Sequence, residues 1–236
     1  MSEYMFKSEI SGDMALFKEL NPELHGAWMK LHNGVFEDGA LSQKEKQLIA
    51  VAGAHITRCP YCIRSRVRLS KNLGATDQEI IESIYVALRF AMGGPYAYSS
   101  IAFEAHDALE NNIPLTEGHF FKKDITKEIN EFSRCSGGNS EAFKEFTKKV
   151  FADGALSKDF KRGLIGLACG HMTKCPYCIR GCVKDARSAG FTKEQMAEAI
   201  NVGMVMSAGA CFAHTSIAMD TLAGINEKNK ARTASK

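Results

Sequence analysis

His55 opens the stretch HITRCPYCIR, and His171 opens a near copy, HMTKCPYCIR. Two cysteines separated by Pro-Tyr, each pair preceded by a histidine, therefore occur twice in one chain. Proline suits the first turn of a helix, where no N–H donor is needed, so Cys59 and Cys175 are expected close to an N-cap. Orphan N–H groups and the helix dipole favour a thiolate there. Cys62 and Cys178 fall one turn further in, within reach of a disulfide or a mixed-disulfide exchange. Arg58, Arg64 and Arg66 around the first pair, and Lys174 and Arg180 around the second, push thiol acidity the same way. His55 and His171 are candidate bases, against the plainer alternative of helix-end histidines bonded to a carbonyl. Cys182 shares a helix face with Cys178, as a third thiol or a small core residue. His214, in GACFAHTS, is the last candidate, with core packing as its alternative. Cys135, Cys169 and Cys211 read as packing residues, and His25, His32, His106 and His119 as surface ones.

The elements that must carry these residues are themselves repeated. VFEDGALS at 35–42 returns as VFADGALS at 150–157. After a one-residue insertion near Gly163 the offset becomes 116, and it holds from Leu48/Leu164 to Ile101/Ile217. The period is too long for a solenoid, so duplication of a unit spanning roughly 22–110 and 138–225 is the simpler account. Asn21-Pro22 marks a helix start closed by Gly39. Ser42-x-x-Glu45 and Thr76-x-x-Glu79 are capping boxes, with Thr192-x-x-Gln195 the second unit's counterpart. Ile80, Ile81, Ile84, Tyr85, Leu88 and Met92 recur at helical spacing, and no alternating pattern is present. Gly93-Gly94-Pro95 is expected to end that helix and start another from Tyr96 to Leu109. Thr116–Phe132 is expected to form a connecting helix. The fold class is all-α, a duplicated helical unit packed as one body: 1–112 the first repeat, 113–137 a connecting segment, 138–236 the second repeat with a polar tail.

Composition bounds the rest. The 236 residues carry 30 basic and 27 acidic side chains, a balance that points away from nucleic acid and anionic membranes. The start scatters charges among apolar residues, unlike a signal peptide, and no long uncharged run predicts a membrane span. A cytoplasmic location is expected. In that compartment a Cys-x-x-Cys pair favours redox or metal chemistry over a structural disulfide.

Cys-Pro-Tyr-Cys also occurs in glutaredoxins, but there it follows a strand, and here it follows a capped helix. The stretches LIAVAGAHITRCPYCI with ALRFAMGGPYAYSSIA, and LIGLACGHMTKCPYCI with VMSAGACFAHTSIA, resemble the carboxymuconolactone decarboxylase and alkylhydroperoxidase D-like family. The resemblance implies an all-helical fold and reduction of a peroxide or disulfide through the cysteine pair, recharged by a dithiol reductant (protein or small molecule). It implies no cofactor and no metal. Decarboxylase members generally lack the Cys-x-x-Cys, so that activity is set aside. Single-repeat members tend to form rings of six, which implies a homotrimer for a two-repeat chain. The family's relay places a glutamate before LIA and a histidine four residues after the second cysteine. Here Gln47 and Arg162-Gly163 stand at the first place, and Arg66 and Cys182 at the second. His55, His171 and His214 are the available substitutes. The relay activates the second cysteine whereas the helix dipole favours the first, so the order of attack stays open.

The second copy, with His171, His214 and Cys182, is expected to be the more reactive, because Tyr98 and Arg66 occupy the matching places in the first. The alternative to a thiol oxidoreductase is a non-catalytic helical assembly or binding protein whose cysteine pairs bind metal or sense redox state.

Overall fold

The computed structural model describes residues 7, 9–113 and 122–234, and all regular structure among them is helical. The first unit contains α1 (Ser11–Leu20), α2 (Pro22–Val35), α3 (Gln43–Thr57), α4 (Pro60–Asn72) and α5 (Asp77–Glu110). The second contains α6 (Thr126–Cys135), α7 (Gly138–Val150), a π-helical turn (Phe160–Ile165) running into α8 (Gly166–Met172), α9 (Pro176–Ser188) and α10 (Lys193–Ala234). The caps lie where the sequence puts them. Asn21 accepts from the Leu24 N–H at 3.1 Å, and both expected capping boxes of the first unit close reciprocally. Thr192 and Gln195 exchange the equivalent pair of bonds.

Helices α3 and α8, which lead into the two cysteine motifs, form the centre. Leu48, Ile49 and Val51 of α3, Leu164 and Ile165 of the π turn and Leu167 of α8 are fully buried, each worth about 1.5–3 kcal/mol of burial. Helices α5 and α10 pack against both. The deepest part of the core therefore ends at Cys59 and Cys175, which fixes where the thiols emerge. Helix α10 is long and apolar enough to cross a membrane by length and composition. Its Val202, Val205 and Met206 are buried, in a helix that packs on α3 and α8.

Three elements differ from the sequence expectation. Gly93-Gly94-Pro95 does not break α5, which runs through it for 34 residues. The residue before a proline avoids helical backbone because its Cβ meets the proline ring. Gly94 has no Cβ, so that part of the conflict is removed. The same continuity in α10 removes the expected separate last helix from the second unit too. Second, α1 is a true part of the repeat. Phe17 of α1 meets Phe212 edge-on at 5.9 Å, as Phe132 of α6 meets Tyr96 at 5.6 Å. Lys7 bridges Asp13 and Asp220 as Lys122 bridges Glu128 and Glu104. Third, α6 begins only at Thr126. The first part of the expected connecting helix, and His119, lie outside the described residues.

The inserted residue of the second unit is taken up by the π turn. Lys46 and Lys161 before the insertion, and Leu48 and Leu164 after it, are equally buried in the two units. With both ends fixed, the extra residue widens one turn, as π-bulges do.

The units are clasped reciprocally. Glu198 of α10 accepts from the Ala40 and Leu41 N–H groups at 3.0 and 2.8 Å and pairs with buried Lys46 at 3.1 Å. Glu82 of α5 accepts from Ala155 and Leu156 at 2.9 Å each and pairs with buried Lys161 at 3.2 Å. Each GALS entry loop is thus held by a carboxylate from the other unit.

Candidate active site

Cys59 and Cys175 are the N-cap residues of α4 and α9, with Pro60 and Pro176 in the first turn. The Cys59 sulfur accepts from the Cys62 N–H at 3.2 Å, and the Cys175 sulfur from the Cys178 N–H at 3.3 Å. Both N-cap sulfurs are fully buried, at 0% exposure. Cys62 and Cys178 instead line the cavities that open onto the two motifs. The acidic position and the accessible position are different sulfurs.

Each cavity is built across the repeats. The long helix of one unit walls the dithiol of the other: Phe90, Gly93 and Ala97 of α5 face Cys178, and Met206, Gly209 and Ala213 of α10 face Cys62. This corrects the placement of the candidate bases. His214 sits edge-on to Tyr61 at 5.9 Å, beside the first motif. Tyr98 donates to the Lys174 carbonyl at 2.6 Å, immediately before Cys175. The second copy therefore does not hold His214, because α10 crosses onto the first unit. His55 and His171 each hold Nδ1 against a carbonyl of their own helix, Val51 and Leu167, at 2.8 Å. Among the described residues neither ring hydrogen-bonds a thiol.

The second site holds a cation that sequence reasoning missed. Arg89 of α5 lines the cavity with Cys178 and Cys182 and lies among the rings of Phe90, Phe143 and Phe151, 5.2–5.8 Å from their centroids. A Cβ at Gly93 would overlap Arg89 Nη1 and lie 3.8 Å from Cys178 Sγ, so glycine is what admits the guanidinium beside the thiol. The helical spacing of α5 could not have pointed to Arg89, since its thiol partners are on another unit.

These contacts split the acidities of the pair. A hydrogen bond from the Cys178 thiol, with further ones from backbone N–H groups and the charge of Arg89, brings Cys175 down to about 6 against burial. The same hydrogen bond, then burial, pushes Cys178 well up. Burial pushes Cys182 up to about 12, and it packs at the back of the cavity as a protonated thiol. In the first site burial, with the bond to Cys59, pushes Cys62 up to about 12.

Arg66 occupies the first site's relay position. It is buried, lies 4.1 Å from the Phe36 centroid, and donates to Gln47 Oε1 at 3.3 Å and His32 Nε2 at 2.7 Å. His32 is therefore a part of this site, not a surface residue, and with Nδ1 on Asn33 at 3.1 Å its tautomer is fixed. Burial, then Arg66, lowers its pKa despite the Asn33 bond. In the second site Arg162 lies against Asp185 at 2.9 Å. Cys135 and Cys211 are exposed, contrary to the packing role expected of them, while Cys169 is buried.

The four motif sulfurs do not gather into one metal-holding group. Among the described residues such a group is formed by His106, Asp107 and Glu110 on the surface of α5.

Comparison with known proteins agrees with this architecture. The chain is 48% identical over 94 residues to "Uncharacterized protein 4 in cox locus" of Paracoccus denitrificans, an alignment covering 40% of this chain and 84% of that protein. That relative is about one repeat long. Residues 22–104 and 139–220 each match the carboxymuconolactone decarboxylase family, and the chain belongs to that family as a two-repeat member.

Proposed function

We propose that the protein is a thiol oxidoreductase that reduces hydroperoxides or disulfides at its two Cys-Pro-Tyr-Cys pairs, reset by an external dithiol. The observation that carries this reading is the arrangement at α9: an acidic N-cap sulfur hydrogen-bonded to a second thiol that faces a cavity beside a buried arginine. The missing glutamate–histidine relay is replaced within the pair. Cys175 holds the thiolate and accepts the proton of Cys178 as Cys178 attacks. The Cys178 sulfur takes the hydroxyl oxygen of R–O–O–H, the O–O bond breaks, and the alkoxide leaves as the alcohol after taking a proton from solvent. Arg89 is placed to stabilise that developing negative charge. The Cys175 thiol then attacks the sulfenic acid, releasing water and forming the disulfide. An external dithiol takes up the two oxidising equivalents by exchange. A cytoplasmic location and a homotrimer of six repeats complete the proposal.

The test is thiol loss and turnover with hydrogen peroxide, an alkyl hydroperoxide and a small disulfide, each with an added dithiol. Oxidation of both pairs to Cys59–Cys62 and Cys175–Cys178 disulfides is expected. Inertness toward all three oxidants would overturn the assignment.

A further inference from the structure

The two dithiols face cavities of different size and chemistry. The chamber at Cys62 has a volume of about 500 Å³, against about 210 Å³ at Cys178. Organic ligands occupy sites of roughly 300–1,000 Å³, so the first chamber has room for one and the second is fitted to small oxidants. Its walls include Trp28, Met206 and Phe212, an apolar lining. Three guanidiniums, Arg64, Arg66 and Arg68, also face it, against one carboxylate, Glu9. Arg66 is engaged by Gln47 and His32. Glu9 is engaged by Ser11 and lies in the field of Arg64. Two guanidiniums remain. Among the described residues neither Arg64 nor Arg68 has an ion pair. A guanidinium can only donate. What the chamber leaves unsatisfied is complementary to an acceptor, and its surplus of positive charge to an anionic one.

We infer that the first dithiol is an organic-substrate site taking a hydroperoxide whose apolar body carries a carboxylate, with Arg64 and Arg68 on the carboxylate, Trp28 against the apolar body and the peroxide at Cys62. This rests on the oxidoreductase reading above. Cys62 takes the hydroxyl oxygen as the O–O bond breaks and the organic alcohol leaves. Cys59 displaces water from the sulfenic acid, and an external dithiol restores both thiols.

Trp28 is the chain's single tryptophan, so binding can be read without turnover. Its fluorescence is titrated with a medium-chain hydroxy fatty acid, the product of such a reduction, and with the methyl ester of that acid. The acid is expected to bind about tenfold more tightly, a difference of roughly 1.4 kcal/mol. Added salt and Arg68→Gln are each expected to shrink that ratio. In a Cys175→Ser/Cys178→Ser protein, the hydroperoxy fatty acid is expected to be reduced with a higher kcat/KM than its ester. Equal affinity for acid and ester, no response of Trp28, or an unchanged ratio in Arg68→Gln would each overturn the inference. Tight acid binding with neither pair oxidised by any hydroperoxide would instead sink the oxidoreductase reading and leave an acid-binding chamber.

Discussion

Cys175 accepts hydrogen bonds at the mouth of α9, and Cys178, one turn on, faces the cavity. In the proposed cycle the thiolate and the attacking sulfur are therefore joined by one proton transfer. Reduced protein should show an ultraviolet thiolate transition near pH 6, set by Cys175 and absent from Cys175→Ser. Because this pKa is depressed, the thiolate is present above that pH, and peroxide oxidation of the second pair should fall as pH drops through it. Arg89→Gln should move the transition upward by about one unit and slow oxidation about tenfold, and Arg89→Lys should recover part of the loss. An unshifted transition would remove Arg89 from this role. With the acidic Cys175 and the guanidinium of Arg89 both at the second pair, Cys175→Ser and Cys178→Ser should abolish most turnover of hydrogen peroxide, whereas Cys59→Ser and Cys62→Ser leave much of it. Losses equal between the pairs would contradict that order. The N-cap acidity was legible from Cys-Pro-Tyr-Cys because it is a local property of one helix end. The placement of His214 and Arg89 was not, since sequence offsets pair residues by ancestry and the fold pairs them across units.

Local signals also decided which helices could be read in advance. The capping boxes at Ser42, Thr76 and Thr192 are complete within four residues, and each begins a helix as expected. Helix α1 lacks a side-chain cap and depends on its packing on α10, which no short window contains. The Glu82 and Glu198 clasps are long-range in the same way. Burial alone would raise these carboxyl groups, yet the N–H groups of the entry loops and a lysine bring both below their ordinary value. Their contribution to stability is therefore complete above the usual carboxylate range and lost as pH falls through the depressed pKa. Glu198→Ala and Glu82→Ala each strand a lysine that is 3% exposed. Each should cost about 3 kcal/mol in urea unfolding, because a buried charge loses its partner. Costs below about 0.5 kcal/mol, the range of surface pairs, would show that the clasps do not hold the units together.

At the scale of the whole molecule, one apolar face remains uncovered by the fold. Ile81, Tyr85, Leu88 and Met92 follow one another along α5 at helical spacing and are 38–48% exposed. Met204 on α10, the counterpart of Leu88, is 49% exposed. Scattered apolar residues are ordinary on a surface, but a continuous stripe on one helix marks a face that another surface covers. Duplication left two quasi-equivalent units in one chain, and a closed ring needs each apolar face to meet another unit. Three chains would supply the six units expected from the family resemblance. Light scattering at micromolar concentration should give the mass of a trimer. The paired change Ile81→Glu and Leu88→Glu should lower that mass while leaving the helical circular dichroism intact, because both side chains point away from the core formed by Ile80, Val86, Ala87 and Phe90. A monomeric parent protein, or an unchanged mass in the double variant, would show that the stripe is not the surface that joins the chains.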